Sequence, residues 1–371
     1  MSFLKPSYLD KVKKMRTDLN QLEPQSLVDA FLKYPPETFR IQNSADFLPF
    51  FTTKFNLLTT LDVADRKKIE SFFAYPYWGK LLNLSTCFIG TTVSEYTPLS
   101  SDISAIEMSL KLKQIAQNHT LTIIKDLPIN SPLLSRREND FSQELISTAE
   151  KYGFISVEGQ ALAYVPIDFK DQEDYLSRLS KSRRKNLKRK LKSLDNLNIE
   201  ILKTGDQKFQ NPEFRQQLYQ LYLAVYEQSD IHFDLLTPQF FDEILLNASN
   251  GGRVFFYWDQ EILVGFNICF EYQNNLIDKY IGLNYPLALE HNLYFVSWFI
   301  NLNYAKQQGL NFYIAGWTDP EVKSQLGAKF TFTRHLVWIR QPILRFVLGK
   351  LKHLFESDSH WHEKMQELKH E

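Results

Sequence analysis

Asp278 and Tyr280 stand in the run "NNLIDKYIGLN", which alternates in the way a strand does. On an unbroken strand Leu276, Asp278, Tyr280, Gly282 and Asn284 share one face, while Ile277, Lys279, Ile281 and Leu283 share the other. A carboxylate set among apolar neighbours has its pKa raised, so Asp278 is suited to accept a proton from an amine, with Tyr280 as acid or orienting donor. The same pattern also describes a hydrogen-bonded, half-exposed sheet face. Glu271, on the preceding strand, is a weaker rival for the base. Beyond the strand, His291 can exchange a proton near neutral pH, and Asn292 can cap the next helix while facing a cleft. Read more simply, His291 is a solvated loop residue and Asn292 only a cap. Lys323, in "EVKSQLGAKF", is by itself a solvated lysine on a short helix.

These groups sit in a stretch whose elements are well marked. "NIEILK" reads as a strand, "PEFRQQLYQLYLAVYEQ" as a helix with Pro212 at its start, and "TPQFFDEILLNAS" as a helix capped by Thr237. "RVFFYW", "EILVGFNICFEYQ" and "LIDKYIGLN" form an antiparallel meander turned at Asp259-Gln260 and Asn274-Asn275. An aromatic helix ending at Gly309, the strand "LNFYIA", a helix around Asp319 to Leu326 and the strand "FTRHLVWIR" complete the order β-α-α-β-β-β-α-β-α-β. Upstream, "LLNLSTCFIGTTVSEYTPL" reads as a strand with a polar tip. A helix over Ser104–His119 uses Ile106, Leu110, Leu112 and Ile115 as its apolar face. It is followed by the strand "TLTIIKDLPI", a helix stopping at Gly153, and two strands turned at Glu158-Gly159. The first ~80 residues read as helical or irregular.

Composition narrows the partners. The 371 residues carry 43 basic and 43 acidic side chains, so no global field favours nucleic acid, and DNA is not an expected partner. Cys87 and Cys269, both in apolar runs, are too few and too far apart for a disulfide scaffold or a thiolate metal site. His360 and His362 are two residues apart and do not share a helix face, so no metal is expected. The N-terminal charges and the absence of a long apolar run point to a cytoplasmic chain that does not span a membrane.

The charge is concentrated locally. Between Lys181 and Lys192, eight of twelve residues are Lys or Arg. Wound as one helix over 176–194, Leu176, Leu179, Leu187, Leu191 and Leu194 form a stripe opposite Lys181, Lys185, Lys188, Arg189 and Lys192. That outward face is either simply solvated or a contact for tRNA backbone, a phosphate-bearing acceptor or an anionic membrane. Arg183 falls inside the leucine stripe, where it must snorkel or reach a carboxylate or phosphate. The tail 341–355 is a second basic amphipathic helix, suited to packing on its own domain or on a second subunit, or to peripheral attachment at the inner face of a membrane.

The basic segment "YLSRLSKSRRKNLKRKLKSL", the junction "DKYIGLNYPLALEHNLYF" and "EVKSQLGAKF" resemble FemAB-like members of the GNAT superfamily, a bacterial family labelled peptidoglycan biosynthesis/recognition. The resemblance covers about 170–340, and "GTTVSEYTPL" hints at its extension upstream. It implies an α+β fold of GNAT-like mixed sheets flanked by helices, in two tandem GNAT-like lobes: 1–168, possessing a degenerate GNAT character, and 169–340, opening with the basic helix. The segment 341–371 is then a helical tail. It also implies transfer of an acyl or aminoacyl group to an amine, with acyl-CoA or aminoacyl-tRNA as donor and a small molecule or cell-wall precursor as acceptor. Asp278, Tyr280 and His291 become catalytic candidates; Arg183, Asn284, Asn292 and Lys323 become donor- or substrate-binding ones. In the family Lys323 corresponds to a lysine that manages phosphate charge, and an arginine is retained at Arg183. The turn Pro286–Asn292 lacks the glycines that let backbone N–H groups cradle a coenzyme A pyrophosphate. That omission counts against a routine acetyl-CoA enzyme. The alternative is a GNAT-fold module that binds a phosphorylated or polyanionic partner without catalysis.

Overall fold

The computed structural model describes residues 18–42, 48–60, 67–68, 70–229 and 232–351. Helix α1 (Gln25–Lys33) is followed by β1 (Phe50–Asn56), β2 (Asn83–Ile89), α2 (Ala105–Gln117), β3 (Leu121–Ile129), α3 (Arg136–Lys151) and β4 (Ile155–Pro166). Next come α4 (Gln172–Ser177), α5 (Lys181–Lys190), β5 (Asn198–Lys203), α6 (Pro212–Gln228) and α7 (Pro238–Leu246). The meander β6 (Gly252–Asp259), β7 (Ile262–Tyr272) and β8 (Asn275–Leu283) leads to α8 (Leu293–Gln307), β9 (Phe312–Gly316), α9 (Pro320–Gln325), β10 (Lys329–Ile339) and α10 (Pro342–Leu351).

The chain forms two compact units, and both are discontinuous. The first comprises residues 1–21, 38–161 and 332–371, the second residues 22–37 and 162–331. In the first, β1 and β2 are antiparallel, β2 and β3 parallel, and β3 pairs antiparallel with Phe332–Ile339 of β10. In the second, residues Ala163–Pro166 of β4 pair antiparallel with β9, β9 runs parallel to β8, and β7, β6 and β5 follow antiparallel. Each unit therefore repeats strand, helix, parallel strand: β2-α2-β3 in one and β8-α8-β9 in the other. The antiparallel strand beyond each repeat is not the next one along the chain. Pairing rather than sequence adjacency sets the units, which is why they depart from contiguous lobes 1–168 and 169–340.

Local chemistry explains most of the elements. Ser104, Ser135, Asp171, Ser180 and Thr237 accept N-terminal hydrogen bonds from helix backbones, and Ser135 with Glu138 forms a capping box. Ser180 also breaks the basic helix anticipated over 176–194 into α4, α5 and a 3-10 turn at Leu191–Asn196. Its leucine face is nevertheless buried at Leu176, Leu187 and Leu191. In α2 the packed side is Met108, Leu112 and Ala116, whereas Ile106 and Leu110 are exposed.

The anticipated turn at Glu158-Gly159 is instead the middle of the single strand β4. Gly159 is there for close packing: a Cβ would lie 2.2 Å from Thr333 Oγ1. In the early chain, β1 and the short strand Arg40–Ile41 supply sheet where helix or irregular structure was anticipated. No helix among the described residues is long and apolar enough to cross a membrane. His360 and His362 and the tail beyond residue 351 lie outside the described residues.

Candidate active site

The site begins with one extra residue. On β8, Asp278 pairs with Cys269 and Tyr280 with Ile268, so Lys279 is bulged out of the ladder. Because Ile268 and Cys269 point to opposite faces of β7, so do Tyr280 and Asp278. The shared polar face anticipated for β8 is thus corrected: Tyr280 packs its ring on Phe240 and Phe241, whereas Asp278 turns its carboxylate toward α8 and β9. The parallel pairing of β8 with β9 stops at Ile277 and Ile314, immediately before the bulge. Beyond that point lies a cavity of about 490 Å³, counting its open mouth. Its lining includes Asp278, Tyr280, Tyr294, Trp298, Tyr313 and Lys323.

Asp278 is held by a polar network inside an otherwise apolar core. Tyr313 donates to Asp278 Oδ2 at 2.7 Å and Asn301 Nδ2 at 3.0 Å, while Asn267 Nδ2 approaches Oδ1 at 3.3 Å. Asn267 and Asn301 are linked at 3.2 Å, and Tyr257 donates to Asn267 Oδ1 at 2.7 Å. Burial raises the Asp278 pKa above the ordinary carboxylate value; the Tyr313 and Asn267 hydrogen bonds and the charge of Lys323 act against that rise. Lys323 is itself buried and donates to the Ala315 carbonyl at 2.6 Å. The Tyr294 hydroxyl is buried with no hydrogen-bond partner among the described residues, and burial together with nearby Asp319 and Asp278 holds its pKa high.

This arrangement brings Asp278, Tyr280 and Lys323 to the lining of one cavity and leaves the remaining candidates elsewhere. His291 pairs with Asp259 at 3.0 Å and is not among the lining residues. Asn292 has left-handed backbone and makes no side-chain cap; its amide reaches Ser193 Oγ at 3.3 Å. Asn284 donates to the Leu263 carbonyl at 3.0 Å, tying the end of β8 to β7. Arg183 extends to the Ser324 carbonyl at 3.4 Å, the C-terminal side of α9, rather than to a carboxylate. Glu271 is engaged by Arg253 at 2.9 Å and by the Tyr304 hydroxyl.

The tyrosines and asparagines of the network were not singled out by sequence. Asn267 inside "LVGFNICF" and Asn301 inside "WFINLNY" were the available signals, since an amide in an apolar run must find a buried partner. Cys269 lies 3.6 Å from Asp278, and burial raises both thiols, Cys87 to about 12 and Cys269 well above its ordinary value. Neither is prepared as a thiolate nucleophile. Among the described residues, no cluster of three or more His, Cys, Asp or Glu is arranged to hold a metal.

A bulged strand splayed from a parallel neighbour, within mixed sheets flanked by helices, defines a GNAT-like α+β protein. The match to the FemAB-like model, described as peptidoglycan biosynthesis/recognition, spans residues 95–371, and the chain belongs to that family. FemX shares 11% identity with a TM-score of 0.52, covering 94% of this chain and 99% of FemX. A domain designated the C-terminal part of a lysylphosphatidylglycerol synthetase from Agrobacterium fabrum shares 12% identity with a TM-score of 0.55, covering 91% of this chain and 94% of that one. L-PGS from Bacillus licheniformis shares 10% identity with a TM-score of 0.50, covering 90% and 98%. At these identities the likeness is one of fold. A search of curated protein sequences found no match.

Proposed function

We propose that the chain is an N-acyltransferase that moves an acyl or aminoacyl group from an ester or thioester donor to an amine acceptor related to peptidoglycan precursors. The observation that carries this reading is the buried Asp278 carboxylate facing a cavity at the point where β8 and β9 part. A carboxylate with a raised pKa is a competent acceptor for the proton of an ammonium. In the reaction the amine nitrogen attacks the donor carbonyl, a C–N bond forms, the C–O or C–S bond breaks, and the proton released by the amine passes to Asp278. Asp278 then gives that proton to the leaving oxygen or sulfur, which departs as an alcohol or thiol and returns the carboxylate. The Tyr294 hydroxyl is the available donor for charge developing on the carbonyl oxygen, and Lys323 offsets negative charge in the cavity. The raised thiol pKa values of Cys87 and Cys269 favour direct attack over a covalent enzyme intermediate.

The glycine-free turn Pro286–Asn292 favours an aminoacyl-tRNA donor over acetyl-CoA, with the exposed basic face of α5 as backbone contact. Incubating the purified chain with aminoacyl-tRNA or acyl-CoA and an amine-bearing peptidoglycan precursor, with product mass as readout, tests this. Transfer reduced by about 10²–10⁴ in Asp278→Asn is the expected result. Binding of polyanions without transfer from any donor would favour a recognition module instead.

A further inference from the structure

In the first unit, the segment Ser71–Lys80 displays aromatic side chains to solvent. Phe73 is 97% exposed, Tyr77 84% and Phe72 64%, the three highest values among exposed large apolar and aromatic residues apart from those of α10 and Leu289. The display is structured. Tyr75 folds its ring over Gly79, where a Cβ would come within 2.8 Å of it, and Ala74 takes left-handed backbone that turns the chain between Phe73 and Tyr75. Local hydrogen bonds hold the turn: Tyr75 N–H donates to Phe72 O at 3.1 Å, Tyr77 N–H to Ala74 O at 2.9 Å, and Ser71 Oγ to Lys68 O at 2.7 Å. Exposed Lys67 and Lys68 precede the tip and exposed Lys80 follows it; Glu70 is the acidic residue between.

We propose that Phe72, Phe73 and Tyr77 form an interfacial anchor that seats the first unit on an anionic phospholipid surface, with Lys67, Lys68 and Lys80 at the headgroups. Aromatic rings are favoured where an apolar interior meets wet headgroups, and the neighbouring lysines supply the complementary charge. The Tyr75–Phe72 and Tyr77–Ala74 backbone hydrogen bonds lower the cost of moving those groups out of water. Each element alone is weak, and the two together give reversible rather than permanent attachment. This anchor is independent of the transfer chemistry.

Flotation of the full chain with phosphatidylglycerol/phosphatidylcholine vesicles and with pure phosphatidylcholine vesicles tests it. The chain is expected to float with the anionic vesicles, less as salt rises, and weakly with the neutral ones. Phe72→Ser/Phe73→Ser is expected to lower partitioning about tenfold at unchanged melting temperature, because both rings are exposed. Phe73→Trp is expected to show a blue-shifted emission on anionic vesicles. Equal flotation of the double serine variant, or loss caused only by Ile343→Ser/Phe346→Ser in α10, would overturn the proposal. So would a concentration-dependent dimer that the serine variant abolishes without any lipid binding.

Discussion

Tyr313 donates its phenolic hydrogen bond to Asp278 Oδ2 across the parting between β9 and β8, at 2.7 Å. The bond stabilises the ionised carboxylate against the burial that raises its pKa. Tyr313→Phe should therefore move the acidic limb of the pH–rate profile to higher pH, since more alkali is needed to free Asp278 as a base. Lys323→Met should move it the same way by removing a favourable charge. Profiles of kcat/KM for the two variants check this; an unmoved limb in both would remove Asp278 from the role of base.

Asp278 also makes a stability prediction. Its folded-state pKa lies above the ordinary value, so the folded chain holds the proton more tightly than the unfolded one. That contribution is present at low pH and is lost as pH rises from the ordinary carboxylate value through the folded pKa. Asp278→Asn should flatten this dependence and melt no lower than the parent near neutral pH, even as transfer falls. Melting curves across pH for both proteins measure it.

The bulge has its own support. Lys279, displaced from the ladder, reaches Glu23 at 3.5 Å, with their side chains 7% and 0% exposed. Removing one partner leaves the other charge buried, so Glu23→Gln or Lys279→Met should each cost about 3–5 kcal/mol. The double variant should recover much of that loss. Urea unfolding in a double-mutant cycle reads the coupling, and additive losses would mean that the pair is not the unit that matters.

Much of the fold was legible because its signals are local. The cap Thr237 and Pro212 at the first helical position marked helix starts, and the alternation of β6, β7 and β8 marked the meander. Gly159 misled because a glycine demanded by a neighbour's bulk looks the same as one demanded by a turn. Asp278 could be picked out as a carboxylate on a strand, yet its separation from Tyr280 could not. The bulge at Lys279 inserts one residue into the count without any change in residue type. His291 was read by proximity along the chain, but its partner Asp259 lies at the far end of another hairpin. Strand partners across long separations leave no local trace, so the composition of each unit was hidden as well.

The pairing of β3 with Phe332–Ile339 bears on how the protein is made. During synthesis Leu121–Ile129 leaves the ribosome long before the strand that will cover its edge, and everything through Thr331 emerges in between. The first unit must wait with an unpaired edge, an opening for aggregation or for a chaperone, while the second already has all its strands. The half translated first is the half finished last.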